Sequence, residues 1–437
     1  MTSMMLKKLE KYAVICYYVA MAEKKNIEPR TLKGFRDFLP EEQIARQKMV
    51  ESIRASYELF GFSPIETPTL EYSDILTGKY GDEGDKLMYR FKDNGDRDVA
   101  LRYDLTIPLA RVVAQYGDIK KPFKRYQIAN VFRADNPQKG RYREFCQCDA
   151  DIVGSESINA DAEILALVGF TLEKLGVKDF EIRVNDRRLL DSFFDEQKIP
   201  PEKKVSVLRI IDKLEKIGAD VVGKEITELG VDKKIVKMIT EKKLPAGSEL
   251  EKIVSAAKNL NPKAKIVFDF SIARGLDYYT GMVFEVKLTN APEFGSILSG
   301  GRYDNLIGTF ANKSIPAVGM SVGVDRLFAA LQELKLVPEI KTVTKVLVAN
   351  FDENLGAKYS QIANILRESG ISTEVLYEFS DLKKNLKYAS DRNIPFVVIV
   401  GSKEAASGKV TLKNMKTGEQ KETTLEEAIK VIKSNNG

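Results

Sequence analysis

The chain has 437 residues, 43% hydrophobic and 30% charged, a soluble globular mixture rather than a disordered or membrane one, long enough for two to four domains. Its 68 basic and 63 acidic residues leave a net charge of +5, which permits an anionic partner such as nucleic acid without demanding one. Histidine is absent, which excludes Ser-His-Asp and Cys-His nucleophilic sites and His-ligated metal centres; the chemistry must run on arginine, lysine, carboxylates, tyrosine or a hard cation such as Mg²⁺.

The first element is ambiguous. "KKLEKYAVICYYVAMAEKK" has basic flanks, an apolar run too short to span a bilayer, and a small-x-small "AMA". It faintly resembles a signal peptide, but Met21 as the true start, after a leader or short added helix, is the favoured reading, and residues 1–28 are set apart as an extension. Ile44, Met49, Ile53, Tyr57 and Phe60 then fall near one face of a helix over 41–60, with Gly61 placed to end it. "FSPIETPTL" reads as an extended, proline-bearing edge or interface strand. Short strand-like runs between 85 and 155, among them "DVALRYDL" and "EFCQCDADIVG", predict an antiparallel sheet, and helical patterning returns over 158–175. Cys146 and Cys148 read as two ordinary thiols rather than half a zinc site, and with Cys16 they suggest a reducing compartment.

From 186 to 262 lysine and glutamate dominate and the period is helical, as in a small inserted helical domain. Strands are expected at 264–270, 282–288, 296–301 and 316–321, then a helix carrying Leu327, Phe328, Leu331 and Leu334 on one face. Beyond "KLVPEIKT", "KVLVAN", "STEVL" and "PFVVIVG" alternate with two helices, which predicts a small parallel-sheet domain.

Three segments are suited to phosphates and polar ligands. In "VFRADNPQKGRYREF", Arg133, Arg141 and Arg143 sit on the two arms of a hairpin, able to clamp a polyphosphate or simply to charge a surface. In "VGMSVGVDRLFAAL", Arg326 lies in a helix first turn, where amides and dipole favour anions; a basic residue there runs against the dipole and hints at a bound anion. "IARGLDYYTGMVFEV" and "SGGRYDNL" each bring arginine, aspartate and tyrosine to a strand end, with Gly300 and Gly301 allowing close approach. For either alone, a turn packed on a core is the competing reading.

Together these segments resemble the class II aminoacyl-tRNA synthetases, and specifically the histidyl-tRNA synthetase family, over about residues 29–437. "GFRDFLP" resembles the family's N-terminal signature, "IETPTL" its dimer-building motif 1, "FRADNPQKGRYREF" motif 2, "GVDRL" motif 3, and "ARGLDYY" with "GGRYD" its two histidine-specific signatures. The resemblance implies a mixed α/β class II core, an antiparallel sheet flanked by helices, over 29–185 and 263–335. It further implies an inserted helical domain over 186–262 and a C-terminal α/β anticodon-binding domain over 341–437.

The implied substrates are ATP with Mg²⁺, L-histidine and tRNA(His), in a cytoplasmic homodimer with no membrane association and no metal held by protein His or Cys. Arg133 would hold the α-phosphate, Arg326 the γ-phosphate end, and Arg141 would add to ATP binding. Phe145 would stack under adenine, and Arg274 would be the family's catalytic arginine on the α-phosphate. Asp104, Thr106 and Gln147 would bind the amino acid's ammonium and orient its carboxylate. Asp151 and Tyr279 would take the two imidazole nitrogens, with Tyr303 lining the same pocket. The rival reading is a catalytically inactive, histidine-sensing regulatory paralogue. Asp at 104 and 151 and "FRADN" depart from the common bacterial pattern, so Asn136 and Gln138 are assigned no tRNA base. A synthetase without histidine could also be translated while charged histidyl-tRNA is scarce, with chance composition and deliberate choice as the alternatives.

Overall fold

The computed structural model describes residues 27–435 apart from 79–80, 212, 234, 237–245, 273–278 and 312. The N-terminal apolar run, and the catalytic assignment to Arg274, lie outside the described residues.

The first helix, Pro40–Leu59, starts on a proline that needs no amide partner there and buries Ala45, Met49, Ile53 and Tyr57. Gly61 follows at φ +78°, the left-handed turn expected of a glycine stop. The extended segment after it splits in two. Strand β1 (Ser63–Pro64) forms an edge of a large sheet, while β2 (Leu70–Tyr72), β3 (Arg90–Lys92) and β4 (Asp98–Leu101) make a small sheet of order β2-β4-β3.

The long strands β5 (Phe123–Phe132) and β6 (Glu144–Val153) follow, then β7 (Phe180–Asp186), β8 (Ile266–Phe268), β9 (Met282–Leu288), β10 (Ser296–Arg302) and β11 (Ala317–Gly323). With β1 they form a sheet of order β1-β5-β6-β11-β10-β9-β7-β8. It is antiparallel except where β1 meets β5 and β7 meets β8.

Strand alternation divides β6 between two environments. Cys146, Cys148, Ala150 and Ile152 join the main hydrophobic core against the 40–59 helix and the Ile158–Lys174 helix. Phe145, Gln147, Asp149 and Asp151 line a cavity on the other face. The Tyr57 hydroxyl donates to the Cys148 carbonyl at 2.9 Å, fastening the helix layer to this strand.

Between β7 and β8 the described residues are helical, from Arg187–Glu196 to Glu249–Leu260. Their apolar faces, including Leu190, Phe194, Ile253 and Ala257, belong to the same core as the sheet. The predicted helix after β11 is Val324–Glu333.

The C-terminal region corrects the expectation of a parallel sheet. Strands β12 (Val346–Val348), β13 (Thr373–Val375) and β14 (Phe396–Ile399) are parallel as patterned, but the hairpin of β15 (Val410–Asn414) and β16 (Gln420–Thr423) extends them antiparallel. Both faces are covered. Val346, Val348, Phe396 and Val398 pack with Tyr359, Leu366 and Ile432, while Leu347, Val397 and Ile399 pack with Ala389.

The second Arg/Tyr/Asp segment is tied to the helix layer. Arg302 Nε donates to Asp161 Oδ1 at 3.0 Å, and Arg302 Nη1 reaches the Ser155 carbonyl at 3.0 Å. Both charges are buried, so Asp161→Ala leaves the guanidinium only the partly exposed Asp304 as counter-charge and is expected to destabilise the fold by about 3 kcal/mol in urea unfolding. A loss under about 1 kcal/mol would contradict this role.

Candidate active site

One cavity of about 460 Å³ gathers every described residue that sequence reasoning placed in the site: Asp104, Thr106, Arg133, Arg141, Phe145, Gln147, Asp151, Tyr279, Tyr303 and Arg326. They arrive from β6, from the β5–β6 connection, from the residues just before β9 and just after β10, and from the starts of the Thr106–Gln115 and Val324–Glu333 helices.

One end of the cavity is cationic. Arg133 Nε donates to the Tyr103 carbonyl at 3.0 Å, and the guanidinium lies 4.2 Å from the Tyr103 ring centre and 5.2 Å from that of Phe145. The planar charge is thus held beside two rings. Arg141 forks onto Asp135, with Nε and Nη2 at 3.0 and 2.9 Å from its two oxygens, which braces the connection against itself. Gly140, at φ +73°, brings that connection against Arg326, whose Cα lies 3.7 Å from where a Cβ would stand. Arg326 Nη1 donates to the Ser296 carbonyl at 2.7 Å.

Asp325 fixes this end. Its buried carboxylate accepts from Arg36, from Arg46 at 3.4 Å and from the Cys146 amide at 2.8 Å. Arg36 in turn stacks 3.3 Å from the Tyr142 ring centre, and Arg143 donates to the Lys33 carbonyl at 3.2 Å. "GFRDFLP" therefore docks on the hairpin and on the helix that carries Arg326.

The other end is a buried acidic pocket. Arg125, fully buried on β5, lies 2.7 Å from Asp151 on the neighbouring strand. The Tyr303 hydroxyl donates to the other Asp151 oxygen. On β11, Gly319 stands opposite Asp151 of β6, and a Cβ there would come within 1.8 Å of the carboxylate, so only glycine admits it. Gly300 passes the Gly319 carbonyl, and Gly301 leaves room for the Tyr279 ring, each closer than a Cβ allows. Asp104 Oδ1 accepts from the Thr106 and Ile107 amides, both at 3.1 Å, holding the helix start. Gln147 Nε2 donates to Ser321 Oγ at 2.6 Å.

Burial raises the carboxyl of Asp151 above its ordinary range, opposed by Arg125. It pushes Asp149 up to about 7, again against Arg125, with Asp151 adding to the rise. Burial and the adjacent Asp151 charge keep the Tyr303 phenol neutral. Asp149, Ser321, Asp325, Asp135 and Arg125 were not singled out from sequence. The signal for Asp149 was available, because a period of two puts it on the face of Gln147 and Asp151. Arg125 needed the strand pairing.

The histidyl-tRNA synthetase family model matches residues 34–327, and the anticodon binding domain model matches 345–435. The chain is 44% identical to histidine–tRNA ligase of Clostridium tetani, covering 94% of this chain and 100% of the relative. It is 43% identical to histidine–tRNA ligase of Wolinella succinogenes, covering 92% and 97% respectively. The crystal structure of histidyl-tRNA synthetase from Nostoc sp. PCC 7120 superposes with a TM-score of 0.85 at 33% identity, covering 94% of this chain and all of that one.

The raised Asp149 carboxyl has a consequence for stability. The unfolded chain loses this proton near the ordinary aspartate value, whereas the folded protein keeps it to about 7. Stability is therefore expected to fall as pH rises from about 4 to about 7, by up to about 1.4 kcal/mol per pH unit from this group. In urea unfolding across that window, Asp149→Asn should flatten the slope; an unchanged slope would contradict the assignment.

Proposed function

The chain belongs to the histidyl-tRNA synthetase family, and on that premise we propose how its pocket charges tRNA(His) with histidine. It is a class II aminoacyl-tRNA synthetase, a histidine–tRNA ligase that uses ATP as substrate. The observation that carries the residue-level reading is the single cavity with arginines and a half-buried phenylalanine at one end and buried carboxylates and tyrosines at the other.

Adenine stacks on Phe145, Arg133 holds the α-phosphate, Arg326 holds the γ-phosphate end, and Arg141 adds charge near the triphosphate. Asp104, Thr106 and Gln147 bind the ammonium and orient the carboxylate of histidine. Asp151 and Tyr279 meet the two ring nitrogens, and Tyr303 fixes Asp151. The histidine carboxylate attacks the α-phosphorus in line and diphosphate leaves, giving histidyl-adenylate. Negative charge grows on the phosphoryl oxygens, where Arg133 stabilises it, with Arg274 assigned as the family's catalytic arginine. The terminal adenosine hydroxyl of tRNA(His) then attacks the activated carbonyl and AMP leaves. No protein nucleophile or histidine base is needed.

A pocket that pairs both ring nitrogens leaves buried polar groups unmatched by other side chains, and such sites discriminate by about 10⁴–10⁵. Mg²⁺ enters with ATP, held mainly by phosphate oxygens as is usual for this ion. Among the described residues no group of three or more Cys, Asp or Glu forms a cation site.

We divide the chain into a catalytic core (29–185 and 263–335), a helical insertion (186–262) and an anticodon-binding domain (341–437). A homodimer through the 63–72 region is supported by Leu70, Tyr72 and Phe91, which expose 38%, 55% and 48% of their surface on the small sheet. No helix among the described residues is long and apolar enough to cross a membrane, which fits a cytoplasmic enzyme. The regulatory alternative finds no support: Arg133 and Arg326 are in the cavity and the C-terminal domain is present.

ATP–diphosphate exchange with each of the twenty amino acids tests this reading. Exchange is expected with histidine alone, and Arg133→Ala should slow it by about 10²–10³-fold. Histidine binding by a folded protein without exchange would overturn it. Light scattering should give twice the chain mass, and Tyr72→Glu should shift the protein toward monomer.

A further inference from the structure

Asp149 has no part in the roles above, yet it lines the cavity on the face of β6 between Gln147 and Asp151 and is only 2% exposed. Gln127 on β5 and Ser321 on β11 stand opposite it in register. Ser321 bridges it to Gln147, accepting from the Gln147 amide at 2.6 Å and hydrogen-bonding the Asp149 carboxylate. Two buried oxygens then remain without a partner among the described residues: Asp149 Oδ1 and Gln147 Oε1. Gln147 Oε1 is an acceptor and so is Asp149 Oδ1 once the carboxyl is ionised, and leaving such groups unpaired is costly. Carboxylate and amide oxygens two residues apart on one strand face match a cation with several N–H donors, and a primary ammonium has three.

Asp104 Oδ1 already receives the Thr106 and Ile107 amides, which leaves a three-donor ammonium room for a second carboxylate. We propose that Asp149 is a further histidine-binding residue, taking the substrate's α-ammonium together with Gln147 Oε1, and that binding expels a proton from the pocket. The inference rests on the activity proposed above.

The charges facing Asp149 set the direction of this coupling. Arg125 from β5 favours its ionised form, while Asp151 on β6 and Asp104 ahead of the Thr106–Gln115 helix oppose it. Tyr303, Tyr57 and Cys148 adjoin it and are kept neutral by burial. Since the carboxyl titrates near 7, a substantial fraction is protonated at neutral pH. An arriving ammonium adds positive charge beside it, so the remaining proton leaves.

The test is calorimetric titration of the full-length protein with histidine at pH 7, in two buffers of different ionisation enthalpy. The titration is repeated with triazolylalanine, whose ring takes up no proton near neutral pH. The wild type is expected to release a measurable fraction of a proton per triazolylalanine bound, because Asp149 is raised toward neutral pH. Asp149→Asn should abolish that release and raise the KM for histidine at least about tenfold, about the worth of one charged hydrogen bond, with the KM for ATP changed less than about twofold.

Histidine binding within twofold of wild type, or an unchanged proton count, would overturn the proposal. Should the variant fail a thermal-melt check, the wild-type proton release decides: none with triazolylalanine overturns it. Absence of histidine-dependent exchange by the wild type would overturn the activity and this inference together. Intact exchange with an unaffected Asp149→Asn would overturn the inference alone.

Discussion

A guanidinium with no exposed surface, that of Arg125, lies beneath the floor of the pocket 2.7 Å from Asp151. Its Nε and Nη1 have no hydrogen-bond partner among the described residues, so its charge is balanced mainly by the carboxylates it faces. Removing it would leave buried Asp149 and Asp151 without their main counter-charge, an expensive arrangement in low dielectric. The glycines of β10 and β11 follow from the same constraint. Gly319 admits the Asp151 carboxylate, and Gly300 lets two backbones close over it. The acidic pocket is thus a packing solution for a buried charge.

The cationic end depends on a second buried acid. Asp325 ties the N-terminal segment, the base of β6 and the helix bearing Arg326 through three donors. It stands beside Arg326 in sequence, so whatever moves this carboxylate also moves the cationic end of the cavity. The two acids lie at opposite ends of the site, one joined to β6 through the Cys146 amide and the other on β6 itself. That shared strand holds the cationic and acidic ends of the cavity in fixed relation.

Much of this was legible in the sequence because it is written in periodicity. The 40–59 and 158–174 helices and the β5–β6 hairpin follow from spacing alone, and the ten described site residues do meet in one cavity. What was not legible depends on partners distant in the chain. Arg302 reads like a second copy of the Arg/Tyr/Asp chemistry, but its guanidinium turns to Asp161, 141 residues away. Arg125 and Asp325 are ordinary charged residues until strand pairing and helix docking bury them. The antiparallel β15–β16 hairpin lies in a polar stretch whose alternation is weak, so the C-terminal sheet read as parallel throughout. The 186–262 stretch reads as an inserted helical domain, and strand pairing and packing add that the apolar faces of its helices share the core of the large sheet.

The most direct measurement is a crystal structure of the protein with histidine and a non-reactive ATP analogue. The imidazole is expected between Asp151 and Tyr279, the ammonium among Asp104, Gln147 and Asp149, the purine on Phe145 and the α-phosphate on Arg133. Histidine bound elsewhere, or a ring turned away from Asp151, would contradict the claim that the buried carboxylates select the substrate.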